Sequence, residues 1–392
     1  MKPFKIPYGR QEIDEQDLAA VANVLKSDWL TQGPVVPEFE EAIAKRCNVN
    51  YSVAMSNATA ALHLSCLALE VGPGDLVWTS PISFVASANC ALYCGAEIDF
   101  VDVELVTGNL CTKALQEKLL EAKKKNKLPK VIIPVHFAGQ SCDMARIAEL
   151  AAEFNFKIIE DASHAIGGSY EGRAIGSCLY SDITIFSFHP VKIITSGEGG
   201  VATTNRPEVA KRLKMLRSHG ITSDPDDLTE PSHGPWYYQQ QILGFNYRLT
   251  DIHAALGLSQ LSKLDRFVEN RNALAKRYDK IFLTAKNIKP LTINDMCRSS
   301  YHLYVVRLLN VEIGIRKKCI EFLRSNGIAA HLHYIPIYLQ PFYKKFGFKA
   351  GYCPIAELYY SQALTLPMYP SLTYSQQDEV SKKLELFLIA NT

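Results

Sequence analysis

The chain has almost no surplus of charge: Lys and Arg number 42 against 40 for Asp and Glu, a formal net charge of +2. No global positive field therefore draws it to nucleic acid or to an anionic membrane surface. No apolar run approaches the roughly 20 residues that a membrane-spanning helix needs. The opening residues, MKPFKIPYGRQEIDEQ, carry charges where a secretory signal needs an apolar stretch. Ten cysteines are present but none in CxxC spacing, and the closest pair is Cys90 and Cys94. Such spacing gives neither a zinc site nor a disulfide framework and predicts reduced, mostly buried thiols. His331 and His333 form an HxH that would share one face of a strand. With no Cys or carboxylate at ligand spacing beside them, no metal site is predicted. Two nucleotide signatures are missing as well. No GxxxxGK[ST] occurs, and the clusters GPGD and GEGG do not supply GxGxxG after a strand, which argues against a P-loop enzyme or a dinucleotide oxidoreductase. These absences predict a soluble, cytoplasmic protein with neither nucleic acid nor membrane as partner.

What is present is a large core. The chain is 392 residues long and 47% hydrophobic, enough for two packed lobes. Short β-rich runs alternate with helical patterns over the first two thirds. YSVAMS precedes the helical ATAALHLSCLALE, LVWTS precedes SFVASANCALYCG, and EIDFVDV, VIIPVHF, the helix MARIAELAAEF, KIIEDAS, DITIFSF and GGVATT follow. That alternation predicts an α/β fold, a large mixed and mostly parallel sheet with helices on both faces. The lysine run in EAKKKNKLPK reads as the solvated end of a helix. From about Asn246 the pattern changes. One long helix, TDIHAALGLSQLSKLDRFVENRNALAKRYDKIF, leads into a region with strands such as YHLYVVRLL and HLHYI. The expected division is a large domain over 1–262 and a smaller α+β C-terminal domain over 263–392.

Parallel strands in such folds present ligands just beyond their carboxyl ends, and three segments supply polar residues there. In SNATAALH, Ser56 or Asn57 can cap a helix whose small first residues Ala58, Thr59 and Ala60 leave its amides open to an anion. An ordinary capped helix reads equally well from this segment alone. In KIIEDASHA, Asp161 follows apolar strand residues, and a carboxylate buried at a strand end needs a cationic partner. A protonated heterocyclic nitrogen would serve, although a helix cap is the other reading. His164 would face the same way, and taken singly it reads as structural. In FSFHPVKIITSGEGGVATT, Lys192 sits in an apolar stretch where lysine is seldom found. Enclosure depresses its pKa and makes the amine a nucleophile toward carbonyls. An anion-binding helix start, a strand-end Asp and an enclosed Lys match the needs of pyridoxal phosphate, whose aldehyde bonds to lysine and whose protonated ring draws in electrons. Phe84 would stack on that ring or serve as a core aromatic.

The segments SDWLTQGPVVPEFEEA, SNATAALHL, SPISFVASANC, VHFAGQSCDM, IIEDASHAIG, DITIFSFHPVKIITSGEGG, RSHGI, GFNYRLTDIHAALGLSQL and HYIPIYLQPFY resemble the DegT/DnrJ/EryC1/StrS sugar-nucleotide aminotransferases over nearly the whole chain. The resemblance implies the pyridoxal-phosphate-dependent transferase fold type I, with Lys192 as the lysine that binds the cofactor and shuttles protons. It further implies that Asp161 pairs with the pyridinium nitrogen and that Phe84 stacks on the ring. Thr59, Ala60 and Ser187 would hold the phosphate. Asn246 would reach the phosphate of the neighbouring subunit of a homodimer with shared active sites. His164, where many relatives carry Gln, would meet a ring substituent. Tyr8, Asp28, Trp29, Leu30, Thr31, Ala58 and Tyr334 match positions that line the sugar-nucleotide site. The substrates so implied are L-glutamate and a UDP-linked 4-keto-6-deoxy sugar. The lysine argues against the similar dehydratases, which replace it with His. A C3 transaminase and a non-catalytic pyridoxal-binding paralogue are the other readings.

Overall fold

The computed structural model describes residues 4–310, 312 and 314–391. Seven strands form the main sheet: β1 (Tyr51–Met55), β2 (Leu76–Thr79), β3 (Glu97–Phe100), β4 (Val131–Ile133), β5 (Lys157–Asp161), β6 (Ile183–Ser187) and β7 (Gly200–Thr204). Their spatial order is β1-β7-β6-β5-β4-β2-β3. Neighbours from β3 to β6 run parallel, and β7 alone runs against its two neighbours. The register sets Ile159 beside Ile183 and Asp161 beside Ile185. The sheet is thus mixed and mostly parallel, as the alternating pattern predicts.

The helices of this part are α1 (Glu15–Leu25), α2 (Val35–Cys47), α3 (Ala58–Ala68), α4 (Ala86–Tyr93), α5 (Thr112–Lys124), α6 (Met144–Phe154), α7 (Pro207–Arg217) and α8 (Asp251–Leu261). They cover both faces, and the strands show it by alternation. Ile133 and Ile159 enter one core with α3, α4 and α7, while Ile132 and Ile158 enter another with α5 and α6. Strands buried on both faces are largely apolar, which is why VII lacks the half-polar rhythm of an exposed sheet, and the buried Thr184 of ITIF is bonded to Glu160 at 3.0 Å. Asp161 lies two residues beyond Ile159, so its side chain continues onto the face of α3 and α4.

The long helical segment departs from expectation. It is two helices, α8 ending at Leu261 and α9 (Leu264–Phe282). Between them Lys263 is buried, with its amine paired to Asp14 and, at 2.9 Å, to Asp17 near the amino terminus. Placing that cation against two carboxylates turns the chain. Beyond the break, β8 (Ile288–Pro290), β9 (Tyr304–Leu308) and β10 (Ala363–Leu366) form an antiparallel sheet in the order β8-β9-β10. It packs with α9 and the helices Ile315–Ser325 and Tyr374–Asn391 around a separate core. Ile6 also lies in that core, its N–H donating to Gly327 O at 3.0 Å. We propose the lobe boundary at Ser262–Lys263, with the first residues crossing over to the second lobe.

HLHYI is not a strand. His331 alone pairs with Thr365, by N–H···O bonds of 3.1 and 2.8 Å, and the chain then leaves the sheet edge. Pro336, which has no N–H and biases its predecessor, stands close behind. All ten cysteines are free thiols, eight buried and two partly so. Among the described residues no helix is long and apolar enough to cross a membrane, and no group of three His, Cys, Asp or Glu side chains is set to hold a metal ion.

Candidate active site

A cavity of about 760 Å³ opens beyond the carboxyl ends of β5 and β6. Asp161 closes β5, is 4% exposed, and faces into it. Three donors fix its carboxylate. Ser87 Oγ donates to Oδ2 at 2.6 Å, while the Ser163 N–H (3.1 Å) and Oγ (2.6 Å) donate to Oδ1. Ser87 in turn lies 2.7 Å from Ser83 Oγ. The carboxylate is therefore aimed by α4 on one side and by its own turn on the other.

Lys192 lies in the loop that joins β6 to β7, and its side chain lines the same cavity. The strand arrangement explains the meeting, since β5 and β6 are parallel neighbours whose carboxyl ends emerge side by side. Burial pushes the amine from 10.5 down to about 8, against the attraction of Asp161, which favours its charged form. Two histidines join them. His164 is held well below its usual range, first by burial and then by its basic neighbours Lys192 and His333. His333 is pushed down to about 3 by burial, His331 and Lys192. Both are neutral imidazoles near pH 7. His333 Nδ1 is 2.9 Å from Thr365 Oγ1, and Tyr8 packs against its ring with centroids 5.6 Å apart.

The opposite wall is the start of α3. Asn57 caps it with its side-chain oxygen accepting from Ala60 N–H at 2.8 Å. This modifies the expectation of fully open amides: Ala60 N–H is already bonded, which leaves the Ala58 and Thr59 amides and the Thr59 hydroxyl at the tip. Gly200, in β7, lets that tip approach, because a Cβ there would stand 2.4 Å from Asn57 C and 2.5 Å from Ala58 N. Ser187, at the end of β6, also faces this space. Phe84 is 60% exposed and borders the cavity, so it is a wall and not a core aromatic.

Ten of the predicted residues therefore meet at one cavity: Lys192, Asp161, His164, Ser187 and Phe84, with Thr59, Ala60, Ala58, Tyr8 and Tyr334. Five do not. Asn246 is exposed and bridges to Ser218 outside it. Asp28, Trp29, Leu30 and Thr31 form an exposed stretch tied to the start of α8, with Asp251 N–H donating to Leu30 O at 3.0 Å and Thr31 bridging Thr250. Ser87, Ser163 and His333 line the cavity without having been singled out for it. Ser87 carried a usable signal, since it lies three residues after Phe84, in the first turn of α4. The HxH spacing of His333 speaks only to metal binding, and its place at the cavity depends on packing of the second lobe.

The residues present fit pyridoxal phosphate. His164 Nδ1 is buried with no hydrogen-bond partner, a cost of about 1–3 kcal/mol that a ligand atom would relieve. A helix tip with two amides to spare suits a phosphate, a bordering Phe suits a flat ring, and a lysine near 8 suits an aldehyde.

The known proteins agree with that chemistry. Residues 11–385 match the model of the DegT/DnrJ/EryC1/StrS aminotransferase family. A UDP-4-amino-4,6-dideoxy-N-acetyl-beta-L-altrosamine transaminase of Campylobacter jejuni is 38% identical over 87% of this chain and 86% of its own. A UDP-4-amino-4-deoxy-L-arabinose–oxoglutarate aminotransferase of Shewanella sediminis is 34% identical over 96% of each. Among solved structures, PseC of Helicobacter pylori, an aminotransferase involved in the biosynthesis of pseudoaminic acid, superposes with a TM-score of 0.89 at 30% identity, covering 98% of this chain and 99% of that one. The chain belongs to the DegT/DnrJ/EryC1/StrS aminotransferase family, and is a pyridoxal-phosphate-dependent sugar aminotransferase of fold type I.

Proposed function

We propose that the enzyme moves an amino group from L-glutamate to C4 of a UDP-linked 4-keto-6-deoxy-N-acetylhexose, UDP-2-acetamido-2,6-dideoxy-β-L-arabino-hex-4-ulose, in pseudaminic acid biosynthesis. It does so as a cytoplasmic homodimer. The observation that carries the reading is one cavity faced by both the Lys192 amine and the Asp161 carboxylate. The 38% identity to the Campylobacter transaminase supports the choice of sugar. When bound, pyridoxal phosphate supplies an aldehyde that takes up the amino group and a protonated ring that accepts electrons.

The chain's own groups do the rest. Asp161, fixed by Ser87 and Ser163, holds the proton on the ring nitrogen. Lys192, largely uncharged above about pH 8, would hold the aldehyde through its amine, and that amine is placed to carry a proton. With the cofactor bound, the same amine would serve both halves: glutamate would give up its nitrogen and, with one water, leave as 2-oxoglutarate, and the keto sugar would take that nitrogen with release of one water. Thr59, Ser187 and the α3 tip bind phosphate, while His164 and Phe84 orient the ring. Tyr8, Ala58 and Tyr334 face the sugar. Asp28, Trp29, Leu30, Thr31 and Asn246 lie outside this protomer's cavity, and we assign them to the second copy's site.

The test is direct. Purified protein should give a visible absorbance band with pyridoxal phosphate that glutamate bleaches. Mass spectrometry over a panel of keto sugar nucleotides should then find the 4-amino product from the named UDP sugar. A band that glutamate leaves untouched would sink the transaminase reading. Amination of another keto sugar alone would replace the sugar, and the Shewanella relative's arabinose substrate makes that the second reading.

A further inference from the structure

His302 lies outside the cavity, 4% exposed, directly behind His164. The two ring centroids are 4.4 Å apart with their planes tilted by 48°. Tyr334 is the second ring beside His164, with centroids 6.2 Å apart, planes at 25° and its hydroxyl 3.3 Å from Nε2. His164 thus meets two rings, the His302 contact being the nearer. Both histidines keep a buried Nδ1 without a partner, so packing, and not a bond to that nitrogen, holds each ring in place.

The backbone that carries His302 is pinned from several sides. Arg271 of α9, 1% exposed and without a carboxylate partner among the described residues, donates to the carbonyls of Tyr301 (3.1 Å), His302 (3.3 Å) and Met368 (3.1 Å). Asn272 donates to Ser299 O at 2.9 Å, and Ser300 Oγ donates to His164 O at 3.0 Å. Tyr301 is left-handed at φ 47°. Gly139 makes room for the turn, since a Cβ there would fall 2.7 Å from Tyr301 N and 3.0 Å from His302 N. Burying a guanidinium against carbonyls alone is costly. Here it ties down the backbone that carries His302.

We propose that His302 is a positioning residue for the transamination, acting through His164 by holding that ring at a single tilt toward the cofactor. The assignment rests on the reading of the cavity above. The titratable groups whose charge reaches His302 are His164, Lys192, Arg271 and His333. None of these is an anion, so nothing favours a proton on it. Burial and these neighbours hold it well below the ordinary histidine range. It works as a neutral ring and as shape.

Two substitutions separate shape from mere filling. His302→Asn removes the ring, while His302→Phe keeps it. His302→Asn should lower kcat about tenfold, with KM for the keto sugar changed by less than about twofold, because a misaimed catalytic group costs rate more than binding. It should also shift the pH midpoint of the cofactor's visible band. His302→Phe should stay within about threefold of wild type in kcat. In a His164→Gln background, His302→Asn should cost less than about twofold more, the non-additivity expected of residues that act as one unit. His302→Gln stands in should His302→Asn fail to fold. An unchanged kcat and band in the ring-less variant would overturn the proposal, as would an equal loss with and without His164. Wild-type protein that forms no glutamate-bleached band overturns the reading of the cavity and this assignment with it.

Discussion

Ser87 Oγ donates a 2.6 Å hydrogen bond to Asp161 Oδ2, joining the first turn of α4 to the end of β5. Phe84 lies three residues before Ser87 and borders the same cavity, so one short segment both aims the carboxylate and supplies a ring wall. A hydrogen bond to a charged group contributes about 1.5–3 kcal/mol. Ser87→Ala should therefore raise the Kd for pyridoxal phosphate at least about tenfold while leaving the melting temperature of the apo-protein within a few degrees. Titration followed by absorbance reads the first and circular dichroism the second. An unchanged Kd would show that Ser163 alone suffices to aim Asp161.

The pH dependence of cofactor capture follows from Lys192. Its amine is pushed from 10.5 to about 8 by burial, and Asp161 opposes the shift. The uncharged amine attacks aldehydes, so capture of pyridoxal phosphate by apo-protein should quicken about tenfold per pH unit below 8 and level off above it. Asp161→Asn removes the attraction that favours the charged amine. The plateau should then begin at lower pH, although the cofactor once captured would be held less firmly. Stopped-flow absorbance across pH 6–10 checks the direction, and a midpoint that rises in Asp161→Asn would contradict it. Lys192→Ala should abolish transamination outright while retaining weak cofactor binding.

The cavity was legible in sequence wherever a strand, its turn and the next helix supply neighbouring residues. Asp161 and His164 share one strand end, Thr59 and Ala60 one helix start, and Lys192 stands out because lysine is rare in an apolar run. Such local units fix their own geometry. His333 and His302 were invisible as site residues because each arrives from the second lobe, and packing across the lobes depends on contacts such as Ser300 Oγ to His164 O that no local pattern announces. The single long helix expected over TDIHAALGLSQL and beyond broke at Lys263 for the same reason, since its partners Asp14 and Asp17 lie some 250 residues earlier. HLHYI carries a strand-like composition, yet only His331 finds a partner strand.

Gly200 tests whether the α3 tip must sit this close to the sheet. An alanine Cβ there would meet Asn57 C, Asn57 O and Ala58 N at 2.4–2.5 Å, and all three are backbone atoms that cannot swing aside. Gly200→Ala should push the tip away from β7, destabilising the fold by about 1–3 kcal/mol and weakening phosphate binding more than ring binding. Affinity for pyridoxal phosphate should fall while affinity for pyridoxal, which lacks the phosphate, changes little. Equal losses for both ligands would mean that the whole cavity had deformed.

Asn246 lies outside the cavity of its own protomer, exposed and bridged to Ser218, and we propose that it serves the cavity of a second copy. That assignment makes a distinctive demand on mixtures. Lys192→Ala and Asn246→Ala homodimers should each be inactive or nearly so. In a hybrid of the two, one cavity combines both defects, while the other has an intact lysine from one subunit and an intact asparagine from the other. Random reassortment makes half the dimers hybrids, each with one good site, so an equal mixture should recover about a quarter of wild-type activity. If Asn246 instead served its own protomer, every cavity in the mixture would carry one defect and no activity would return. Sedimentation of the mixture would confirm that dimers had exchanged, so that silence could not be blamed on failure to mix.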